Sequence, residues 1–309
     1  MKSTPKILVC VTAYEDPEAV ASFISAIKNQ STPVEKILIV DNSNDKKVCL
    51  QPSVNNSNLE VIYSPENLGV SGSLKIAYKR LFSYKYDFLW TFDQDSIPAF
   101  SCLENLLKVY REVSQNNYKV GIIAPLSIDL RNNNIIEGAN FVKDHFAGCQ
   151  HQQKKLYECD APITSGTLIS LTTAKTISIP REDLFIDGID LDYGLRLKQA
   201  GYHNFIVTDA IMHHNFGHPS EIKFINRNLL VQKYPPIRHY YICRNHTYLE
   251  TRYAQGLYKV TSSLKRIKYL IFTIIKIILF DHEYKNIKIW ACLLGTFHGF
   301  IGKLGKLWH

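Results

Sequence analysis

Tyr86-Asp87-Phe88-Leu89-Trp90-Thr91-Phe92-Asp93-Gln94-Asp95-Ser96 is a short apolar run that breaks into two carboxylates one residue apart. The run has strand length and no helical period, which predicts a buried strand over 86–92. In open α/β sheets, ligands bind beyond the carboxyl ends of the strands. A pair of oxygen ligands there suits a hard cation such as Mg²⁺ or Mn²⁺. The same tripeptide caps helices or stays solvated in many loops, so its meaning depends on the chain around it.

Upstream, strand-like and helix-like segments alternate. Lys6–Thr12 is a continuous apolar run, and Pro17-Glu18 opens a helix over 19–29 with Val20, Phe23, Ile24 and Ile27 at helical spacing. Lys36–Val40 reads as a second strand ending in Asp41-Asn42-Ser43, and Leu59–Tyr63 as a third ending near Asn67-Leu68-Gly69. Helices are expected over 69–84 and 101–113. This alternation predicts an α/β fold with a mostly parallel central sheet flanked by helices. A parallel sheet sets its strand ends along one rim, so the loop Thr12-Ala13-Tyr14, Asp41 and the pair Asp93/Asp95 are expected to line one crevice. Asp41-Asn42-Ser43-Asn44 is also a good turn sequence. Neither a G-x-G-x-x-G fingerprint after the first strand nor a P-loop is present. A nucleotide bound here is therefore expected to be held by carboxylates, a metal and side chains.

Downstream, Val120–Leu126 reads as a strand, while 131–155 lacks a clear period and fits a long loop or short antiparallel strands. Ile163–Ser170 has strand character, with Ser165-Gly166 permitting close approach of backbone or ligand. A second acidic cluster follows: Asp187, Asp190 and Asp192, with Ile189, Tyr193 and Leu197 at helical spacing. Acids at a helix N-terminus are favoured by the dipole. Three together raise one another's pKa, which suits a general base. Gly201 ends this helix and 203–208 returns as a strand. Of His213 and His214, at most one faces a site from a strand, because successive side chains point to opposite faces. Pro235-Pro236 opens a helix in which Arg244 either aims at phosphate oxygens or forms a surface ion pair.

Charge is unevenly distributed. The chain of 309 residues carries a formal +8, of which residues 259–309 hold nine Lys or Arg against Asp281 and Glu283. The basic residues accompany the most apolar part of the chain, which points to a membrane surface and away from nucleic acid. Lys265, Tyr269, Thr273 and Lys276 form a narrow polar strip opposite Ile, Leu and Phe in Leu264–Phe280, too short an apolar stretch for a span of ~20 residues. Ile289–Ile301 is a second apolar stretch, followed by a basic tail. The expected organisation is a catalytic domain over 1–258 and a basic amphipathic helical region over 259–309. The seven scattered cysteines lack a C-x-x-C, and the N-terminus lacks a signal-peptide pattern. Both fit a cytoplasmic protein with reduced thiols.

Taken in order, Thr12-Ala-Tyr14, Asp41-Asn42-Ser43, Asn67-Leu68-Gly69, Asp93-Gln94-Asp95, Ser165-Gly166 and Asp190-x-Asp192-x-x-x-Arg196 with Gly201 resemble glycosyltransferase family 2 and its GT-A fold. Phe185-Ile-Asp187, His214-x-Phe-Gly217 and Arg238-x-Tyr240-Tyr241-x-x-Arg244-Asn245 resemble the bacterial rhamnosyltransferases of surface-polysaccharide assembly. The resemblance covers roughly residues 6–250. It implies that Thr12, Tyr14, Asp41, Asn67, Asp93, Arg244 and Asn245 bind the nucleotide sugar, with Asp41 reading the base edge. Ser165 and Gly166 are the implied acceptor or sugar contacts, and Asp93, Asp95 and His214 the ligands of Mg²⁺ or Mn²⁺. Asp190 is the implied general base of an inverting transfer. Ile189 stands where many relatives carry a second acid, so Asp187 and Asp192 supply the neighbouring carboxylates. The implied reaction moves a sugar, L-rhamnose from dTDP-rhamnose, to a lipid-linked saccharide at the cytoplasmic face of the inner membrane. A family member using galactofuranose from a UDP donor, and a non-catalytic nucleotide-sugar or carbohydrate-binding protein, are the alternatives.

Overall fold

The structure is a computed structural model that describes residues 4–48, 58–150, 153–215, 219–224, 227–281 and 283–308. By internal contacts the chain divides into two units. Met1–Asn140, Gly148–Glu182 and Asp190–Asn215 form the first, and Phe141–Ala147, Asp183–Ile189 and Phe216–His309 the second.

The first unit opens with β1 (Ile7–Ala13), α1 (Pro17–Lys28), β2 (Lys36–Asp41), β3 (Leu59–Tyr63), α2 (Gly69–Tyr84) and β4 (Phe88–Asp93). It continues through β5 (Ser96–Pro98), α3 (Cys102–Gln115), β6 (Val120–Asp129) and β7 (Ile135–Ile136). After β8 (Ala139–Val142) and β9 (His145–Gly148), a hairpin whose tip counts with the second unit, come β10 (Leu156–Glu158), β11 (Leu168–Ser170) and α4 (Leu171–Thr176). α5 (Ile189–Gln199) and β12 (His203–His214) close it. The aperiodic region over 131–155 is thus built of short strands, and β11 is shorter than the expected 163–170.

The main sheet runs β10-β12-β6-β11-β4-β1-β2-β3. β1 pairs in parallel with β2 and β4, β2 with β3, and β6 with β12. β11 is antiparallel to both β4 and β6, which makes those two parallel to each other. Six strands therefore point their carboxyl ends at one rim, as the alternation of elements predicts. Their continuous apolar sequences follow from burial on both faces. Ile7, Val9, Val11, Trp90 and Phe92 pack toward α1 and α3, while Leu8, Cys10, Leu38 and Leu89 pack toward α2 and α5. Two helical layers around a sheet leave the chain's polar strand ends as the place for a site.

The second unit contains β13 (Pro219–Phe224), β14 (Arg227–Gln232), α6 (Pro236–Tyr253), α7 (Tyr258–Phe280) and α8 (Lys285–Ile301). α8 lies on α6 backbone to backbone. A Cβ on Gly295 would come 2.4 Å from the Tyr240 carbonyl oxygen, and one on Gly299 would come 2.5 Å from that of Arg244. Tyr240, Tyr241 and Ala291 form one part of its core, and Cys243, Ile277 and Cys292 another. By internal contacts α6 belongs to this unit, which begins at 216 and takes in 141–147 and 183–189. Among the described residues no helix is long and apolar enough to cross a membrane.

Candidate active site at the carboxyl rim of the sheet

Sheet register brings distant residues to one rim. Thr12 pairs with Asp93 and with Val40, and Ala13 with Asp41, so the ends of β1, β2 and β4 lie side by side. His214 and Asp129 end neighbouring strands and are register partners. After the acidic loop, β5 turns back antiparallel onto β12 and sets Ser96 opposite His214. The consequence is a cluster in which ligand atoms of Asp93, Asp95 and His214 all lie within 4.8 Å of one another. Two carboxylates and an imidazole at such spacing can hold one cation.

A short polar chain fixes this cluster from behind. His214 Nδ1 lies 2.7 Å from Ser96 Oγ and 3.4 Å from Asp95 Oδ1. Ser96 Oγ is 2.6 Å from Ser165 Oγ, which accepts the Asp93 N–H at 3.1 Å. Ser165 is 1% exposed, so it supports the acidic loop from inside. Its neighbour Gly166 has φ +82°, and a Cβ there would meet Pro125 Cγ at 2.6 Å. Only glycine fits. The middle residue of the acidic triplet is also engaged: Gln94 accepts the Tyr14 N–H at 2.7 Å and donates to the Tyr14 carbonyl at 2.9 Å. Its amide therefore ties the loop after β1 to the loop after β4.

Glu15 performs the matching task on the β2 side. At φ +53°, it accepts the N–H groups of Asn44, Asp45 and Lys46 at 2.6, 3.1 and 2.8 Å. The Lys46 and Asp45 N–H groups hold its carboxyl below the usual range. Asp41 is 1% exposed and accepts the Ser43 and Val48 N–H groups at 3.0 and 2.8 Å. Asn42 accepts the Leu68 N–H, and Asn67, at φ +36°, accepts the Gly69 N–H. Tyr14 is half exposed at the rim. Glu15, Gln94 and Ser96 are site-building residues that the sequence reading missed, since a single polar residue in a strand-end loop carries no periodic signal.

Arg131 was also missed. Asp129 grips it twice, through Nε at 2.9 Å and Nη2 at 2.7 Å, and takes its backbone N–H at 3.0 Å. The Arg131 hydrogen bond holds the Asp129 carboxyl low, and the Asp129 hydrogen bond, with the charges of Asp129 and Asp95, holds the guanidinium high. Because Asp129 is the register partner of His214, this fixed cation stands at the metal-capable cluster.

The second acidic cluster resolves into different environments. Asp192 is 2% exposed and receives Arg196 Nε at 2.7 Å, an i,i+4 pair in α5. Asp190, in the first turn of α5, accepts the Leu191 N–H at 2.9 Å. Asp187 lies in the second unit at φ +58° and receives Arg238 Nη2 at 2.8 Å. Arg244 and Asn245 depart from the expected phosphate contact. Arg244 is 0% exposed, with Nε on Asn245 Oδ1, Nη1 on the Gly305 carbonyl and Nη2 on the Asp183 and Leu184 carbonyls. Asn245 donates to the carbonyls of Leu184, Ile186 and Asp187. These two residues brace the segment 183–187 within their own unit. Phe216 and Gly217 of the expected His-x-Phe-Gly motif lie outside the described residues.

Residues 8–144 match the family described as glycosyl transferase family 2. Among curated proteins, the chain is similar to the dTDP-rhamnosyl transferase RfbF of Shigella flexneri, at 28% identity over 189 residues. The match spans 60% of this chain and 58% of that relative's length. The fold is similar to that of GalNAc-T7, solved with UDP, GalNAc and Mn²⁺, with a TM-score of 0.58 and 12% identity over 87% of this chain and 55% of that one. It is also similar to S. aureus TarS 1–349, with a TM-score of 0.55 and 12% identity over 95% of this chain and 80% of that one. At such identity the two structures establish a shared fold and nothing finer.

Proposed function

We propose, from the premise that residues 8–144 form a glycosyl transferase family 2 domain, that the protein transfers a sugar from a nucleotide donor to an acceptor hydroxyl with inversion. The observation that carries this is the cluster of Asp93, Asp95 and His214 at the carboxyl rim of a largely parallel sheet. Two carboxylates and one imidazole suit Mn²⁺ at least as well as Mg²⁺, since a nitrogen ligand favours the transition ion. When bound, that cation neutralises diphosphate charge and so improves the leaving group.

The chain's own groups do the rest. Thr12, Tyr14, Asp41 and Asn67 form the nucleoside end of the crevice, with Glu15 and Gln94 holding its loops in place. Arg131, fixed by Asp129, replaces Arg244 as the cation that faces developing phosphate charge. Asp190 takes the acceptor proton as the acceptor oxygen bonds to the anomeric carbon, while the bond from that carbon to the diphosphate oxygen breaks on the opposite side. Asp190 lies in the first turn of α5, while Asp192 is paired with Arg196 and Asp187 with Arg238. General-base catalysis of this kind contributes a factor of ~10² to 10⁴. Similarity to a dTDP-rhamnosyl transferase favours dTDP-rhamnose as donor. The acceptor is a lipid-linked saccharide of a cell-surface polysaccharide such as O-antigen or capsule, reached from the cytoplasmic face of the membrane.

The test is release of nucleoside diphosphate from a panel including dTDP-rhamnose and UDP-galactofuranose, with Mn²⁺ or Mg²⁺, with and without a prenyl-diphosphate-linked acceptor. Asp190→Asn is expected to lose transfer, on the order of 10²-fold or more, while donor binding survives. Full turnover in that variant removes Asp190 from the base role. Binding without turnover for every donor and acceptor makes the protein a nucleotide-sugar-binding module.

A further inference from the structure

α7 and α8 leave wide apolar faces exposed and bury polar residues beside Ile277, Ala291 and Cys292. α7 buries Ser262 and Arg266, the latter 3.6 Å from Glu250, and Lys265 and Thr261 reach Asp144 at 2.8 and 2.6 Å. Its outward side carries Val260, Leu264, Ile267, Ile271, Ile275 and Ile278 at steps of three and four residues. α8 buries Lys288 on Asp281 at 2.6 Å together with Gly295, Thr296 and Gly299, and turns Ile287, Trp290, Leu293, Phe297 and Phe300 outward. A surface helix of a soluble domain keeps its exposed face largely polar. Ile271 is 53% exposed, Trp290 57% and Phe297 56%. Of the polar strip, Lys265 is exposed and pairs with Asp144 at 2.8 Å.

Charge says what covers these faces. Neither helix contains an Asp or Glu. The exposed cations Lys259, Lys268, Lys276, Lys303 and Lys306 flank the apolar stripes. A second copy of the chain would set lysine against lysine, whereas an anionic bilayer complements them. Neither helix is long and apolar enough to span. We propose that the outward stripes of α7 and α8 insert into the interface of a bilayer rich in anionic phospholipid, with the flanking lysines extending to headgroups. Insertion of this kind reaches ~5–10 Å into the headgroup and acyl boundary, and lysine stems span that distance with their charge still solvated. This deepens the proposed action at the cytoplasmic face of the membrane, and it rests on helices outside the residues assigned to chemistry.

Co-sedimentation of the full chain with phosphatidylglycerol–phosphatidylcholine vesicles, against pure phosphatidylcholine, tests it. Binding is expected for the anionic vesicles and weaker at high salt. Trp290 emission shifts to the blue and is quenched by brominated acyl chains; Trp290→Phe still binds but loses that quenching. Ile271→Glu with Phe297→Glu lowers partitioning, on the order of tenfold or more for each residue. No binding to either vesicle, or unchanged partitioning in the double variant, overturns the proposal. So does a dimer seen in light scattering that the same substitutions break and lipid leaves intact. Quenching in the unsubstituted protein decides the matter even where a variant fails to fold. Donor hydrolysis without lipid separates the two readings, because it survives if only the membrane face is wrong.

Discussion

Ser96 shows how a residue with no chemistry of its own sets the geometry of one that has. Its hydroxyl stands between His214 Nδ1 at 2.7 Å and Ser165 Oγ at 2.6 Å. An imidazole hydrogen-bonded at Nδ1 keeps one tautomer and one ring orientation, and where such a ring ligates a metal through its other nitrogen, as proposed for His214, loss of that partner typically costs 10–100-fold in metal affinity. Ser96→Ala is therefore expected to weaken Mn²⁺ binding by roughly that factor, measured by calorimetry or by paramagnetic resonance of the bound ion. Unchanged affinity would mean that His214 is not a ligand. Asp93, Asp95 and His214 stand at strand ends that the alternation of elements locates, and the fold brings their ligand atoms within 4.8 Å of one another. The charge of Arg244 suggested phosphate, whereas its guanidinium is held by the carbonyls of Asp183, Leu184 and Gly305, and no local pattern reports such distant partners. Arg131 escaped notice for the opposite reason: its partner Asp129 lies at the end of a strand whose apolar run, read alone, stops at Leu126.

α6 is the element whose interior the sequence read least well. Pro236 announced its start, yet its mixed apolar and polar residues gave no clear face, since it buries Arg244, Asn245 and His239 as well as Tyr240 and Tyr241. Two backbone approaches at Gly295 and Gly299 of α8 cover it, which is why polar side chains turn inward and must find partners there. Burial lowers His239 to about 4 and His246 to about 3. Both are therefore neutral in the folded chain at pH 5, where an unfolded histidine of pKa about 6.5 is largely protonated. With the folded values depressed, the unfolded state binds more protons, so stability is full above pH 6.5 and falls as pH drops toward 4. Each histidine removes about 1.4 kcal/mol per pH unit across that window. The second unit is thus expected to melt at a lower temperature at pH 5 than at pH 7.5, followed by circular dichroism. His239→Gln with His246→Gln should flatten the dependence, and an unaltered slope in that variant would assign the acid sensitivity elsewhere.

Across the whole molecule, the alternation of strands and helices made the first unit legible, because a parallel sheet buried on both faces imposes long apolar strands that the sequence displays openly. The second unit was legible as a basic and apolar region but not in its extent. Its excursions at 141–147 and 183–189 are short segments joined to α6 and α7 by Asp144, Asp187 and their partners, and such pairings leave no trace in local periodicity. Asp144 illustrates the point: hydrogen bonds from Lys265 and Thr261, more than a hundred residues away, hold its carboxyl far below the usual range. The two units thus carry different assignments, donor chemistry in the first and the lipid face in the second, and hydrogen exchange can read them separately. A ligand at one hundred times its dissociation constant adds about 2.7 kcal/mol to the stability of what it binds, enough to slow amide exchange by about a hundredfold where opening exposes the site. With dTDP and Mn²⁺, protection is expected in the loops around Tyr14, Glu15, Asn44 and Asp93–Ser96. With anionic vesicles it is expected in α7 and α8, where buried apolar surface deepens helix stability. Vesicle protection confined to the rim loops, or nucleotide protection confined to α8, would reverse these assignments. The division is sharp because the residues argued to bind the cation lie at strand ends of the main sheet and in the turn between β4 and β5, whereas those argued to meet lipid lie on helices held by glycine contacts and buried ion pairs.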